Sequence, residues 1–220
     1  FPDGGLKDYS NLDSVELSII PMWPWTMCIL GIESIDVAGG TAVVDNDPVY
    51  PLAKTAHGLV EQVWPENVFE ALDGPGTYVS VDRDRAIYLW PEGEEPSADI
   101  VVPILKELVR VEGKIDYSGP ADTPVKGIEF RGLTFTHGMR DTWDQDYAGT
   151  GLQHNWEFFD RGNAMVRLRG AETCVVERCR LVNSASGGIR LDLHCRDNTV
   201  SECEIANIGG TGVLLQGYGP

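Results

Sequence analysis

The sequence predicts an all-β chain, a right-handed parallel β-helix (solenoid) joined to an additional N-terminal β-rich module. Three observations carry this. Segments of the second half recur with a period near 24 residues, each alternates apolar and polar positions as a strand does, and Gly or Asn recurs at the segment ends.

The repeat is plain when IEFRGLTFTH (128–137), CVVERCRLVN (174–183) and NTVSECEIAN (198–207) are stacked. Phe130 then falls on Val176 and Val200, Leu133 on Cys179 and Cys203, and Phe135 on Leu181 and Ile205. The offsets are 46 and 24 residues. A second set, AMVRLRG (164–170), GIRLDLH (188–194) and GVLLQGY (212–218), repeats with Arg169 beside Asp192 and His194 beside Tyr218, at offsets of 23 and 24. Such a unit cannot bury its inner face alone, so coils stack on their neighbours to close a core. The spaced leucines of a leucine-rich repeat are absent, and parallel crossovers are right-handed.

Stacking accounts for several residues that otherwise suggest chemistry. His137, Asn183 and Asn207 share one corner, where side-chain amides bond to one another and to turn backbone. Cys179 and Cys203 face inward on adjacent coils as small apolar fillers. Their spacing lacks the paired ligands of a zinc site.

Residues 1–126 do not follow the period and are expected to form a module packed on, or inserted into, the solenoid of 127–220. Two hairpins are predicted there, in CILGIESIDVAGGTAVVD around Ala38-Gly39-Gly40 and in GTYVSVDRDRAIYLWP with its turn near Asp82-Arg83-Asp84. Asn67–Leu72 suits a short helix stopped by Asp73-Gly74-Pro75-Gly76. PILKELVRVEG (103–113) fits helix or strand.

Charge narrows the partners. With 34 acidic against 17 basic residues the net charge is -17, which repels nucleic-acid phosphates and anionic lipid. No apolar run is long enough to span a membrane, and no signal peptide is visible at the start. A chain opening without Met and stopping at Gly219-Pro220 reads as a fragment. The five cysteines are too few and odd in number for a disulfide scaffold.

Alternation in GGIRLDLHC (187–195) directs Ile189, Leu191 and Leu193 inward and Arg190, Asp192 and His194 outward. Arg167 and Arg169 line the coil before, with Asp192 beside Arg169; Gln216 and Tyr218 line the coil after, with Tyr218 beside His194. For glycoside hydrolysis Asp192 would supply one of two carboxylates, with His194 orienting it. For a lyase Arg190 would abstract a proton alpha to a uronate carboxylate. The plain structural reading is an exposed Arg–Asp pair worth under about 1 kcal/mol.

A second candidate is the insertion between coils, 138–163. It combines Trp143, Tyr147, Trp156, Phe158 and Phe159 with Asp141, Asp144, Asp146, His154 and Asp160. Aromatic faces stack on sugar rings while carboxylates accept from hydroxyls. Trp143, Asp144, Asp146, His154 and Trp156 are therefore candidate substrate contacts beside Arg167, Arg169, Gln216 and Tyr218. No cofactor is expected. Calcium was weighed for Asp141-x-x-Asp144-x-Asp146, which lacks the Gly and distal Glu of an EF-hand loop.

ENVFEALDGPGTYVSVDRDRAIYLWPEGEEP (66–96), FRGLTFTH (130–137), GGIRLDLHC and GVLLQGYGP together resemble bacterial pectin-lyase-like right-handed β-helix proteins, nearest to glycoside hydrolase family 141. The resemblance spans roughly residues 50–220. It implies an extracellular or periplasmic protein acting on a polysaccharide or oligosaccharide, first as a glycoside hydrolase. A polysaccharide lyase and a non-catalytic glycan-binding or structural solenoid are the alternatives. Oligomeric state is not legible.

Overall fold

The computed structural model describes residues 5–23, 26–48, 50–52, 63–96, 100–117, 122–141 and 160–217. These fall into two compact units that divide between Ile100 and Val101.

The first unit holds an antiparallel sheet and a separate hairpin. β1 (Glu16–Ile19), β2 (Cys28–Asp36), β3 (Thr41–Val44) and β4 (Val63–Glu66) pair in the order β3-β2-β1-β4. β5 (Tyr78–Val81) and β6 (Ala86–Leu89) form the hairpin. Both hairpin turns fall where Gly39-Gly40 and Asp82–Asp84 predict them, and the short helix is one 3₁₀ turn, Phe69–Ala71. The core gathers Tyr9, Val15, Leu17, Ile19, Cys28, Leu30 and Ile32.

The second unit is a parallel β-helix. Its main sheet is β7 (Val109–Glu112), β11 (Ala164–Arg169), β15 (Gly187–Asp192) and β18 (Val213–Leu215), all parallel neighbours. A corner pair joins β8 (Val125–Lys126) and β12 (Ala171–Glu172). The other two sheets stack β9 (Glu129–Arg131), β13 (Val175–Glu177) and β16 (Thr199–Ser201), and β10 (Thr134–Thr136), β14 (Arg180–Ser184) and β17 (Glu204–Ile208). Each coil thus visits the four stacks in one fixed order.

The register is the one the repeat predicts. Phe130, Val176 and Val200 are Cα partners, as are Phe135, Leu181 and Ile205. Val166, Leu168, Ile189 and Leu191 point inward with Cys174, Val176, Cys179 and Leu181, and all lie at or below 9% exposure. At roughly 1.5–3 kcal/mol per buried aliphatic side chain, this stack is what holds the coils together.

Corners recur with the strands. Gly127, Thr173 and Asp197 have φ of 68, 55 and 54°, Gly132, Arg178 and Glu202 have 65, 52 and 52°, and His137, Asn183 and Asn207 have 60, 56 and 53°. Each series keeps the offsets 46 and 24, so every coil turns with the same left-handed residues. Asn207 Nδ2 donates to Asn183 Oδ1 at 3.1 Å, the corner ladder expected from sequence.

The sequence reading assigns 101–126 to the N-terminal module. Here β7 is the first strand of the main sheet, and PILKELVRVEG resolves as a strand. All five cysteines are free thiols, and Cys179 Sγ donates to the Phe130 carbonyl of the preceding coil.

A candidate functional site on the outer face of the main sheet

Register sets the site. Arg110, Arg167 and Arg190 form one row across β7, β11 and β15, and Glu112, Arg169 and Asp192 form the next. The inward neighbours are aliphatic, so the period-2 pleat drives all six side chains to the outer face.

That face is not open at its centre. Arg190 and Asp192 are both 0% exposed, which corrects the reading that set them on a solvated groove. The physical reason is the chain returning from the insertion. The amides of Asp160 and Arg161 donate to Asp192 Oδ1 and Oδ2 at 3.0 and 3.2 Å. Arg190 Nε and Arg167 Nη2 both donate to Oδ2 at 2.9 Å. Arg190 Nη1 donates to Asn163 Oδ1 at 2.8 Å, closing the cover. Four donors replace the water that Asp192 loses, as a buried carboxylate requires. Burial lowers the Arg190 guanidinium below its ordinary value, and Asp192 partly offsets this.

Asp141 and Arg161 stand at the two ends of the 142–159 segment and are paired at 2.7 Å. Lys106 Nζ takes the other Asp141 oxygen at 2.8 Å. Asp141, the first member of the series weighed for calcium, thus spends both oxygens on cations. Among the described residues no group of three His, Cys, Asp or Glu side chains is placed to hold a metal.

Accessible chemistry lies at the margin of this buried network. Arg169 Nη2 donates to Asp160 Oδ2 at 2.8 Å and its Nε donates to Oδ1, a two-pronged clamp. Arg167 Nη2 adds a bond to Asp160 Oδ1 at 2.7 Å, and the Tyr117 hydroxyl donates to Oδ2. Arg169, aided by Tyr117, holds the Asp160 carboxyl far below the usual carboxylate range, and Asp160 in turn raises Arg169. Arg169 Nη1 reaches Glu112 Oε1 at 2.9 Å. Tyr117 is 60% exposed, and the Glu112 side chain is 43% exposed. Two carboxylates on separate nitrogens of one guanidinium lie roughly 5–8 Å apart, given hydrogen bonds of about 2.9 Å.

His194 leaves this face altogether. It sits at the corner after β15, with Nδ1 3.2 Å from Asp122 Oδ2 and Nε2 3.0 Å from Glu172 Oε1. Lys126 also pairs with Glu172, and these two partners, Lys126 first, lower the Glu172 carboxyl to about 2. Gln216 continues the sheet through its amide, which donates to the Leu191 carbonyl at 2.8 Å. Trp143, Asp144, Asp146, His154, Trp156 and Tyr218 lie outside the described residues.

Sequence reasoning missed Glu112, Tyr117, Asn163 and Glu107, whose Oε1 accepts from Arg167 Nη1 at 3.2 Å. A signal was there: Val109-Arg110-Val111-Glu112 repeats the aliphatic-Arg-aliphatic-charged pattern of Val166–Arg169 and Ile189–Asp192. The offset of 57 residues from Val109 to Val166 hid it.

Fold and register define a right-handed parallel β-helix. Residues 122–219 match the family model described as "Right handed beta helix region". The chain is also similar to a solved structure named "Glycoside hydrolase", with a TM-score of 0.66 and 22% sequence identity. The likeness covers 92% of this chain and 39% of that one, so this chain spans about two-fifths of its neighbour's length. A comparison with curated proteins finds no match.

Proposed function

We propose that the protein is a carbohydrate-active β-helix protein that hydrolyses glycosidic bonds of a polysaccharide or oligosaccharide. The observation that carries the reading is the Glu112–Arg169–Asp160–Tyr117 cluster on the outer face of the coils. Two carboxylates held by one guanidinium, as Glu112 and Asp160 are by Arg169, fall within the roughly 5–10 Å that glycoside hydrolysis uses. The glycoside hydrolase neighbour supports the same reaction class by fold alone.

Asp160, kept ionised by Arg169, suits the nucleophile or the base that activates water. Glu112, the more exposed carboxyl, meets the same guanidinium and suits the second carboxylate of the pair. Tyr117 faces solvent beside Asp160 and Arg169 and suits a hydroxyl contact to the sugar. Arg190, the base nominated for a lyase, is sealed under Asn163 and cannot reach a substrate.

The test incubates the protein with a panel of plant and algal polysaccharides, following new reducing ends and near-ultraviolet absorbance together. Reducing ends without absorbance, lost in both Asp160→Asn and Glu112→Gln, are expected. Absorbance rising with the ends would replace hydrolysis by lyase chemistry. Binding without turnover would make the protein a glycan-binding module.

A further inference from the structure

We infer that His194 is a positioning residue that acts through Asp122 to hold Tyr117 over the Asp160–Arg169 pair; the inference rests on the hydrolase reading of that cluster.

The coil corner supplies the first argument. Gly170 turns the preceding coil with φ of 58°, and its amide bonds the Leu193 carbonyl at 3.1 Å. One coil on, Leu193 and His194 occupy φ of 35 and 37°. Glycine adopts that region freely, whereas a residue bearing a Cβ does so at a cost. Leu193 and His194 both stand where the local backbone favours glycine, and of the two only His194 carries polar atoms that can join neighbouring segments.

What the ring does is join three segments. Asp122 Oδ2 faces His194 Nδ1, and Glu172 Oε1, on β12, faces Nε2. The Nε2 contact to Glu172 is a hydrogen bond, and Nδ1 lies 3.2 Å from Asp122. The Asp122 side chain is fully buried, and its other oxygen accepts the amide of Asp116 at 2.5 Å. The next residue is Tyr117, whose hydroxyl meets Asp160 and lies 3.2 Å from Arg169 Nη2. Lys114 and Thr123 pair in both directions at the base of this excursion, at 2.9 and 2.8 Å. Backbone ties Lys114 to Thr123, and the Asp122 side chain ties Asp116 beside them. His194 fixes Asp122, Asp122 fixes the Asp116 amide, and that amide sets where Tyr117 leaves the chain.

The same geometry excludes a direct part in the reaction. Both ring nitrogens are committed to carboxylates, and the side chain is 15% exposed. His194 touches none of Glu112, Asp160 or Arg169 through these contacts, so it works at one remove.

The experiment is hydrogen exchange, residue by residue, on the wild type, His194→Ala and Asp122→Asn. Both variants should speed exchange of the Asp116 amide at least about tenfold while the Val166 and Ile189 amides keep wild-type protection. His194→Gln, which can still donate one bond, should fall between. On a glycan the wild type cleaves, His194→Ala should lower kcat and leave KM within about twofold. Unchanged Asp116 exchange in both variants would overturn the inference, and so would equal loosening of Val166 and Ile189, which would mark a merely structural corner. Faster Asp116 exchange in a protein that cleaves no glycan would leave the positioning intact and remove the hydrolase reading instead.

Discussion

Replacing Asp192 with Ala separates a buried network from a wet strand face. Asp192 accepts four hydrogen bonds, two of them from guanidinium groups of Arg167 and Arg190. Arg167 keeps Asp160 and Glu107 as partners, but Arg190 is 0% exposed and cannot turn to water when the carboxylate goes. Removing one partner of a buried pair costs about 3–5 kcal/mol, because the remaining charge stays buried and uncompensated. An exposed pair would cost under about 1 kcal/mol. The readout is native-state hydrogen exchange of the Gly187 and Ile189 amides, which bond Asn163 and Gly212 carbonyls across the coils. At about 1.4 kcal/mol per decade, the loss corresponds to roughly 10²- to 10⁴-fold faster exchange. Acceleration of less than about tenfold would refute the buried-charge argument and return Asp192 to the solvent.

Three further outcomes follow from local geometry. Lys126 and His194 lower Glu172 to about 2 from its ordinary 4.5, so its contribution to stability is complete above pH 4.5 and is lost as pH falls towards 2. Melting temperatures across that range should show the wild type ahead of Glu172→Gln near neutrality, with the gap closing in acid. Asn207, at φ of 53°, bonds Asn183, so Asn207→Ala should cost about 1–2 kcal/mol in thermal unfolding, whereas Asn207→Gly should cost less because only the ladder bond is lost. A Cβ on Gly188 would lie 2.5 Å from the Gly212 carbonyl oxygen, the acceptor of the Ile189 amide, so Gly188→Ala should lower stability by about 1–3 kcal/mol by the same measurement.

The coil register was legible because stacking repeats the same inward residue at the same offset. Phe130, Val176 and Val200 could be placed beside one another from spacing alone, and so could Arg169 and Asp192. Burial of the outer row was not legible. Alternation tells which face a side chain leaves by, but not what lies over that face. The cover comes from Asp160–Asn163, the end of an insertion whose return path no periodicity encodes. The first coil was missed for a related reason, since the same insertion separates β7 from the strand it pairs with. His194 misled because alternation was extended past β15 into a corner, where positive φ turns the side chain away from the row it would otherwise join.

Buried ion pairs are weak devices for stability, so the Arg190–Asp192 pair calls for another explanation. Its geometry offers one. Two of the four bonds to Asp192 come from the amides of Asp160 and Arg161, so the carboxylate fixes backbone at the residue that presents its own carboxyl to Arg169. Stability and placement can then be pulled apart. Arg190→Met/Asp192→Leu removes both charges together and fills the space with apolar atoms, which should bring stability back to within about 2 kcal/mol of the wild type, against a loss of about 3–5 kcal/mol for Asp192→Leu alone. Placement should not recover, because leucine accepts no hydrogen bond. Exchange of the Asp160 and Arg161 amides should stay fast in the double variant even as the Ile189 amide regains protection. If the two amides regain protection as well, something other than Asp192 holds the return of the insertion, and the pair is only packing.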